Sequence, residues 1–214
     1  LGLVFKQKIV HTLRLGVQIH EVNIPRGVAL FEKDEIGKAF EITGIVGSRA
    51  DKVIGTMIPR DNEYEAIHWQ ELELNKGYPS SFRWEIMIPK DPHLFFVQSS
   101  YWDSKRLEDP ILIRPALIFI VAGQSNASGK SEHLSISPSD NVYFGDLGQQ
   151  GIKWRPAHDP GILHGGGSIW PLVGHELQQS HGLGVGFINV AVGGSNLAEW
   201  NPGTPYFDRL VEAL

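Results

Sequence analysis

Cysteine is missing from all 214 residues. That excludes disulfide staples and thiolate-bound metal, and it leaves an oxidising compartment permitted but not indicated. No apolar run approaches the roughly 20 residues a membrane-spanning helix needs. Positive charge is also scarce: 19 Lys and Arg against 24 Asp and Glu give a net charge of -5, with no basic run to follow a nucleic-acid backbone. What remains, 42% hydrophobic and 20% charged, is the composition of a soluble globular chain long enough to bury a core. The start at Leu1 shows neither methionine nor a signal-peptide pattern, and Leu214 falls inside an expected helix. The chain is therefore expected to be a fragment.

Glycine is unevenly spread. Of 24 glycines, 8 precede Arg114 and 16 follow it. Glycine-rich turns between apolar strands and helices mark the functional edge of an α/β domain, so a boundary is expected at Arg114-Pro115. Residues 1–21 carry no clear signal and stay unassigned, with Ile9 to Val17 a strand or the remnant of an upstream element. Residues 22–113 read as β. Lys38 to Val46 alternates, with Phe40 and Ile42 on one face; Lys52 to Ile58 follows the turn at Gly47-Ser48. Ser81 to Pro89 sets Phe82, Trp84, Ile86 and Ile88 on one side. Leu94 to Tyr101 and a short Ile111 to Ile113 complete the set. Short strands at this spacing predict a small β-sandwich built around Phe40, Ile42, Phe82, Trp84 and Ile86. Trp84 is expected in that core. Trp69 and Trp102 fit core packing and a sugar-stacking platform equally.

Residues 114–214 read as α/β. Leu117 to Ala122 is a continuous apolar run, the pattern of a strand buried on both faces, and it breaks at Gly123 into Gln124-Ser125-Asn126. A buried strand that delivers a serine into a glycine-bounded turn is how a fold presents a nucleophile at the carboxyl edge of its sheet. Two familiar loops do not fit. Gly-x-Ser-x-Gly fails because Ala127 stands at the second glycine. A P-loop fails because five residues, not four, separate Gly123 from Gly129-Lys130-Ser131, and the loop-like Ser135 to Asn141 follows where a helix is needed.

Further on, Asn141 to Phe144 is a candidate short strand, and Trp154 to Pro160 reads as loop. His158-Asp159 invites a triad reading. Adjacent residues do not easily orient each other toward a third group, so a loop wall is the plainer one. Ser168 is a candidate N-cap before Pro171, and Trp170, Val173 and Leu177 keep helical spacing up to a stop at Gly182. His175 and His181 have no partner at metal-ligand spacing and read as surface or packing residues. Val185 to Val192 is the next buried strand and ends in Gly193-Gly194-Ser195-Asn196. A strand–helix–strand unit over 117–192 would bring Ser125 and Gly194 to one sheet edge.

Gly123-Gln124-Ser125-Asn126 resembles the first block of the SGNH/GDSL hydrolases, most closely the branch of sialate O-acetylesterases and related carbohydrate acetylesterases. Trp154…Asp159-Pro160, Gly167-Ser168-Ile169-Trp170-Pro171 and Gly193-Gly194-Ser195…Trp200 follow in the family's order. The resemblance implies a partial flavodoxin-like parallel sheet over 114–214, preceded by an accessory sandwich. It implies Ser125 as acyl-accepting nucleophile, with the amides of Ser125 and Gly194 binding the oxyanion; one such donor is worth roughly 3 kcal/mol in the transition state. Gln124, Asn126 and Ser195 would shape the substrate pocket, or else satisfy turn backbone. The substrate implied is an O-acetylated sugar, sialic acid or xylan-like, with no metal or organic cofactor, and a periplasmic or secreted home follows from the resemblance alone. The family's later Gln-Gly-Glu and Asp-x-x-His blocks are absent from these residues. The base is therefore expected beyond Leu214, and the chain as written should be poorly soluble and turn over almost nothing. The rival reading is a non-catalytic carbohydrate-binding protein that keeps a decayed hydrolase half.

Overall fold

The computed structural model describes residues 19–22, 27–48, 50–61, 68–99, 110–148, 151–160 and 166–214. Ile9 to Val17 and Trp102 lie outside them. The fold is mixed α/β with a core made mostly of sheet. Two compact units succeed one another, and the chain passes between them at Pro115–Ala116.

The first unit contains β1 (Ile19–Val22), β2 (Val28–Glu32), β3 (Ala39–Val46), β4 (Val53–Pro59), β5 (Gln70–Glu71), β6 (Glu73–Asn75), β7 (Ser80–Met87), β8 (His93–Ser99) and the start of β9 (Ile111–Val121). One antiparallel set runs β1-β3-β7-β6. In the other, β4 lies between β5 and β8, and β8 pairs with Ile111 to Ile113. Alternation explains which faces are buried. Along β7, Phe82 and Ile86 are buried while Ser81, Arg83, Glu85 and Met87 face water. Opposite, Ile42 is fully buried, and Phe40 packs half-buried on the same cluster. Trp84 packs here too, tilted on Phe95 at 5.4 Å between ring centres. Its ring lies so close to Gly55 that a Cβ there would come within 2.9 Å of it. Trp69, half-buried, is not among the residues of this cluster.

The second unit contains the rest of β9, α1 (Ser125–Ser128), β10 (Val142–Gly148), β11 (Gly151–Pro156), α2 (Trp170–His181), β12 (Gly184–Asn189), a 3-10 turn (Leu197–Trp200) and α3 (Pro205–Glu212). Its strands lie in the order β11-β10-β12-β9, with β10, β12 and β9 mutually parallel. Helix α2 packs on β12 and β10 through Trp170, Val173 and Leu177. Gly174 lets it approach closely, since a Cβ there would stand 2.3 Å from Val142. No helix among the described residues is long and apolar enough to cross a membrane.

Four local expectations change. Ile111 to Ile113 and Leu117 to Val121 are one strand, β9, which runs through the division between the units at Pro115–Ala116. Pro115 is tolerated inside it because it lies between the residues that pair with β8, Ile111 to Ile113, and those that pair with β12, Ala116 to Val121, so its missing N–H interrupts neither ladder. Trp154-Arg155-Pro156 is strand, not loop, since β11 folds back on β10 as a hairpin and buries Trp154. The helix on which the 117–192 unit relied is fed from the β10–β11 hairpin, not directly from β9. Finally, Ser168 does not cap α2. Ile169 holds that position with no side-chain cap, and the Ser168 hydroxyl is used elsewhere.

Candidate active site

Strand β9 ends in a turn that only glycine makes easily. Gly123 has φ of +134°, outside the range L side chains adopt. The turn lets the chain reverse into α1, the single helical turn that starts with Ser125. Gln124 precedes it in an extended conformation and caps it. One atom, Gln124 Oε1, accepts from the Ser125 amide at 3.1 Å and from the Ser125 hydroxyl at 2.7 Å. The amide can only donate, so this atom must be the oxygen of the Gln124 side chain. Asn126 is exposed on the same turn. Below it, the Ala127 carbonyl accepts from Trp170 Nε1 at 2.8 Å and from Asn189 Nδ2 at 3.2 Å, which ties α1 to α2 and to the end of β12.

Strand β12 ends beside it. The bond from Val190 N to the Val121 carbonyl continues the parallel pairing, and Val192 N donates to the Gly123 carbonyl at 2.8 Å. The Ser195 hydroxyl donates to the same carbonyl at 3.4 Å and accepts from Trp200 Nε1 at 3.1 Å. The Gly193-Gly194 turn and the Ser125 turn therefore share the carboxyl edge of adjacent parallel strands. Gly194 has φ of +81°, with nothing within 4 Å of a would-be Cβ. Its backbone conformation, and not crowding, selects glycine.

The Ser195 hydroxyl is thus engaged in joining two turns. Asn196 caps the next 3-10 turn by accepting from Ala198 N, while its own amide and side-chain nitrogen each donate to Glu199 at 2.7 Å.

A second wall is built on Asp159, which is buried. Its carboxylate accepts from the amides of Ser135 (3.0 Å) and Ser168 (2.7 Å) and from the Ser168 hydroxyl (3.0 Å). These bonds commit it to holding two loops together, and neighbouring His158 is exposed. Ser131 and Gly167 exchange two backbone bonds nearby. Sequence reasoning missed this knot, because the partners of Asp159 lie 24 and 9 residues away.

Among the described residues no histidine is hydrogen-bonded to Ser125, and no group of three His, Asp or Glu is placed to hold a metal. Asp146, within β10 opposite Lys153, has a pKa above the usual carboxylate value. Desolvation raises it, against the opposing pull of Arg155 and Lys153.

Residues 115–214 match the family described as carbohydrate esterase, sialic acid-specific acetylesterase. No curated protein matches the chain. Two solved structures are similar. A carbohydrate acetylesterase from Xanthomonas citri is 13% identical with a TM-score of 0.48, over 86% of this chain and 42% of that one. A protein from Arabidopsis thaliana is 19% identical with a TM-score of 0.38, over 45% of this chain and 48% of that one. The chain thus spans less than half the length of either.

Proposed function

We propose that this protein is a serine esterase that removes O-acetyl groups from sugars, sialic acid or a xylan-like glycan, a reading supported by the match of residues 115–214 to the family described as carbohydrate esterase, sialic acid-specific acetylesterase. The observation that carries this reading is the pairing of the two turns. Gly123 takes a hydrogen bond from Val192, so the Ser125 turn and the Gly194 turn stand at one sheet edge.

In this reading the unit is part of a flavodoxin-like SGNH sheet, and residues 22–113 form an accessory β-sandwich whose two antiparallel sets share one buried cluster. Ser125 Oγ attacks the acetyl carbon and its proton passes to a histidine base supplied from outside the described residues. The amides of Ser125 and Gly194 hold the oxyanion. Collapse of the tetrahedral intermediate expels the sugar oxygen, which takes up the proton, and water releases acetate from Ser125 by the same steps. No metal or organic cofactor is needed. For the Ser125 amide to serve, Gln124 must release it. Gln124 then joins Asn126 and Ser195 in shaping the pocket for the sugar.

The test is acetate release from an O-acetylated sialic acid and from acetylated xylan, by protein that includes the segment bearing the base. Release that Ser125→Ala abolishes supports the reading, and acetylated Ser125 should be found by peptide mass spectrometry. Release that Ser125→Ala leaves unchanged overturns it.

A further inference from the structure

Most charged side chains around this edge are already engaged. Asp159 serves two amides and a hydroxyl, and Glu199 takes two bonds from Asn196. Arg155 lies 3.7 Å from Asp146 and 5.1 Å over the Phe144 ring. Lys130 differs. It directly follows Gly129, whose left-handed conformation ends α1, and it precedes Ser131, which is fixed to Gly167 by two backbone bonds. Its backbone packs so tightly that a Cβ on Gly166 would come within 3.0 Å of its Cα. From this anchored base the exposed side chain reaches the other turn, where its Cε lies 3.7 Å from the place a Cβ on Gly193 would occupy. Among the described residues no carboxylate lies within ion-pair distance of its ammonium.

We propose that Lys130 is the specificity-determining residue of this site and selects acylated sugars that carry a carboxylate over neutral ones. The inference rests on the esterase reading above. Three features carry it. The stem lies against the residue before Gly194, so a ligand whose acetyl group meets that turn has its remaining atoms near the ammonium. Gly193 presents no side chain to separate the two. The ammonium is also exposed, in water, where a cation does little for a transient oxyanion but does attract a ligand of fixed negative charge. A lysine suits this role: it is a point charge on a flexible stem, able to meet a carboxylate without the two-pronged geometry of arginine.

The experiment is calorimetric titration with two probes that differ by one charge, N-acetylneuraminic acid and its methyl ester. The parent chain should bind the acid about fivefold more tightly, the scale of a single exposed ion pair. Lys130→Gln should bring the ratio to about one, and Lys130→Arg should restore it. Raising salt should weaken only the acid. Equal binding of both probes by the parent, binding of neither, or a preference that survives Lys130→Gln would each overturn the proposal. Failure of the esterase reading shows separately, as acetate release independent of Ser125, whatever the ratio of affinities.

Discussion

Gln124 accepts both hydrogen bonds that Ser125 can donate, from its amide at 3.1 Å and from its hydroxyl at 2.7 Å. An amide oxygen is not a base, so this contact stores the hydroxyl proton without activating the oxygen. It also caps the one-turn helix α1. Gln124→Ala should lower stability by about 1 kcal/mol, the usual worth of a helix cap. The shift should appear in the urea midpoint; an unchanged midpoint would mean that backbone bonds alone hold the turn.

The Gly193-Gly194 pair separates conformational strain from crowding. Gly194→Ala should cost about 1–2 kcal/mol, because φ is +81° there and an L side chain resists the left-handed region. Gly193→Ala should be nearly neutral in stability, since its Cβ would only touch the Lys130 stem at 3.7 Å. Thermal unfolding of the two variants side by side measures the difference. Equal losses would show that the turn does not depend on that conformation.

Asp159→Ala removes one carboxylate and leaves the amides of Ser135 and Ser168 without an acceptor. A buried unpaired donor costs about 1–3 kcal/mol, so the variant should lose at least about 2 kcal/mol. Denaturant unfolding should report the loss, with faster amide exchange confined to 131–137 and 166–168. A variant as stable as the parent would show that water replaces the carboxylate.

Gly174→Ala sets helix propensity against packing. Alanine favours a helix interior by about 1 kcal/mol, but its Cβ would lie 2.3 Å from Val142 and 2.8 Å from Phe187. Overpacking of this kind costs about 1–3 kcal/mol, so net destabilisation is expected. A higher melting temperature would show that α2 can shift away from the sheet.

Asp146 links stability to pH. Burial raises its pKa above the ordinary value of 3.8, so the folded state holds the proton more readily than the unfolded chain. The contribution is fully present below that ordinary value and is lost as pH rises through the raised one. Asp146→Asn should flatten the stability profile just above pH 3.8, where the parent declines relative to the variant. Parallel profiles from pH 3 to 7 would show that Asp146 titrates alike in both states.

Periodicity and punctuation made much of this legible in the residues alone. The alternation of Phe82, Trp84 and Ile86 specified a half-buried strand, because successive side chains must point to opposite faces. The apolar run to Val121, stopped by Gly123, specified a strand with a serine in the turn after it, but its expected burial on both faces does not hold: Leu117, Ile118 and Ile120 are half-buried and Phe119 is exposed. Helix α2 was legible from the spacing of Trp170, Val173 and Leu177 and from Gly182 as its stop. What tertiary structure alone decided are contacts between residues distant in sequence. Pro115 marks the division between the units, as it reads locally, yet the strand continues through it because neither the β8 ladder nor the β12 ladder includes that residue. Ser168 has the chemistry of a cap, but α2 starts one residue later, with Ile169 at the cap position, and the Ser168 amide and hydroxyl both donate to the buried carboxylate of Asp159. The approach of Lys130 to Gly193 depends on α1 turning back over the end of β12. Local pattern reports which face of an element is buried; which elements meet there follows only when burial and hydrogen bonding are satisfied over the whole chain.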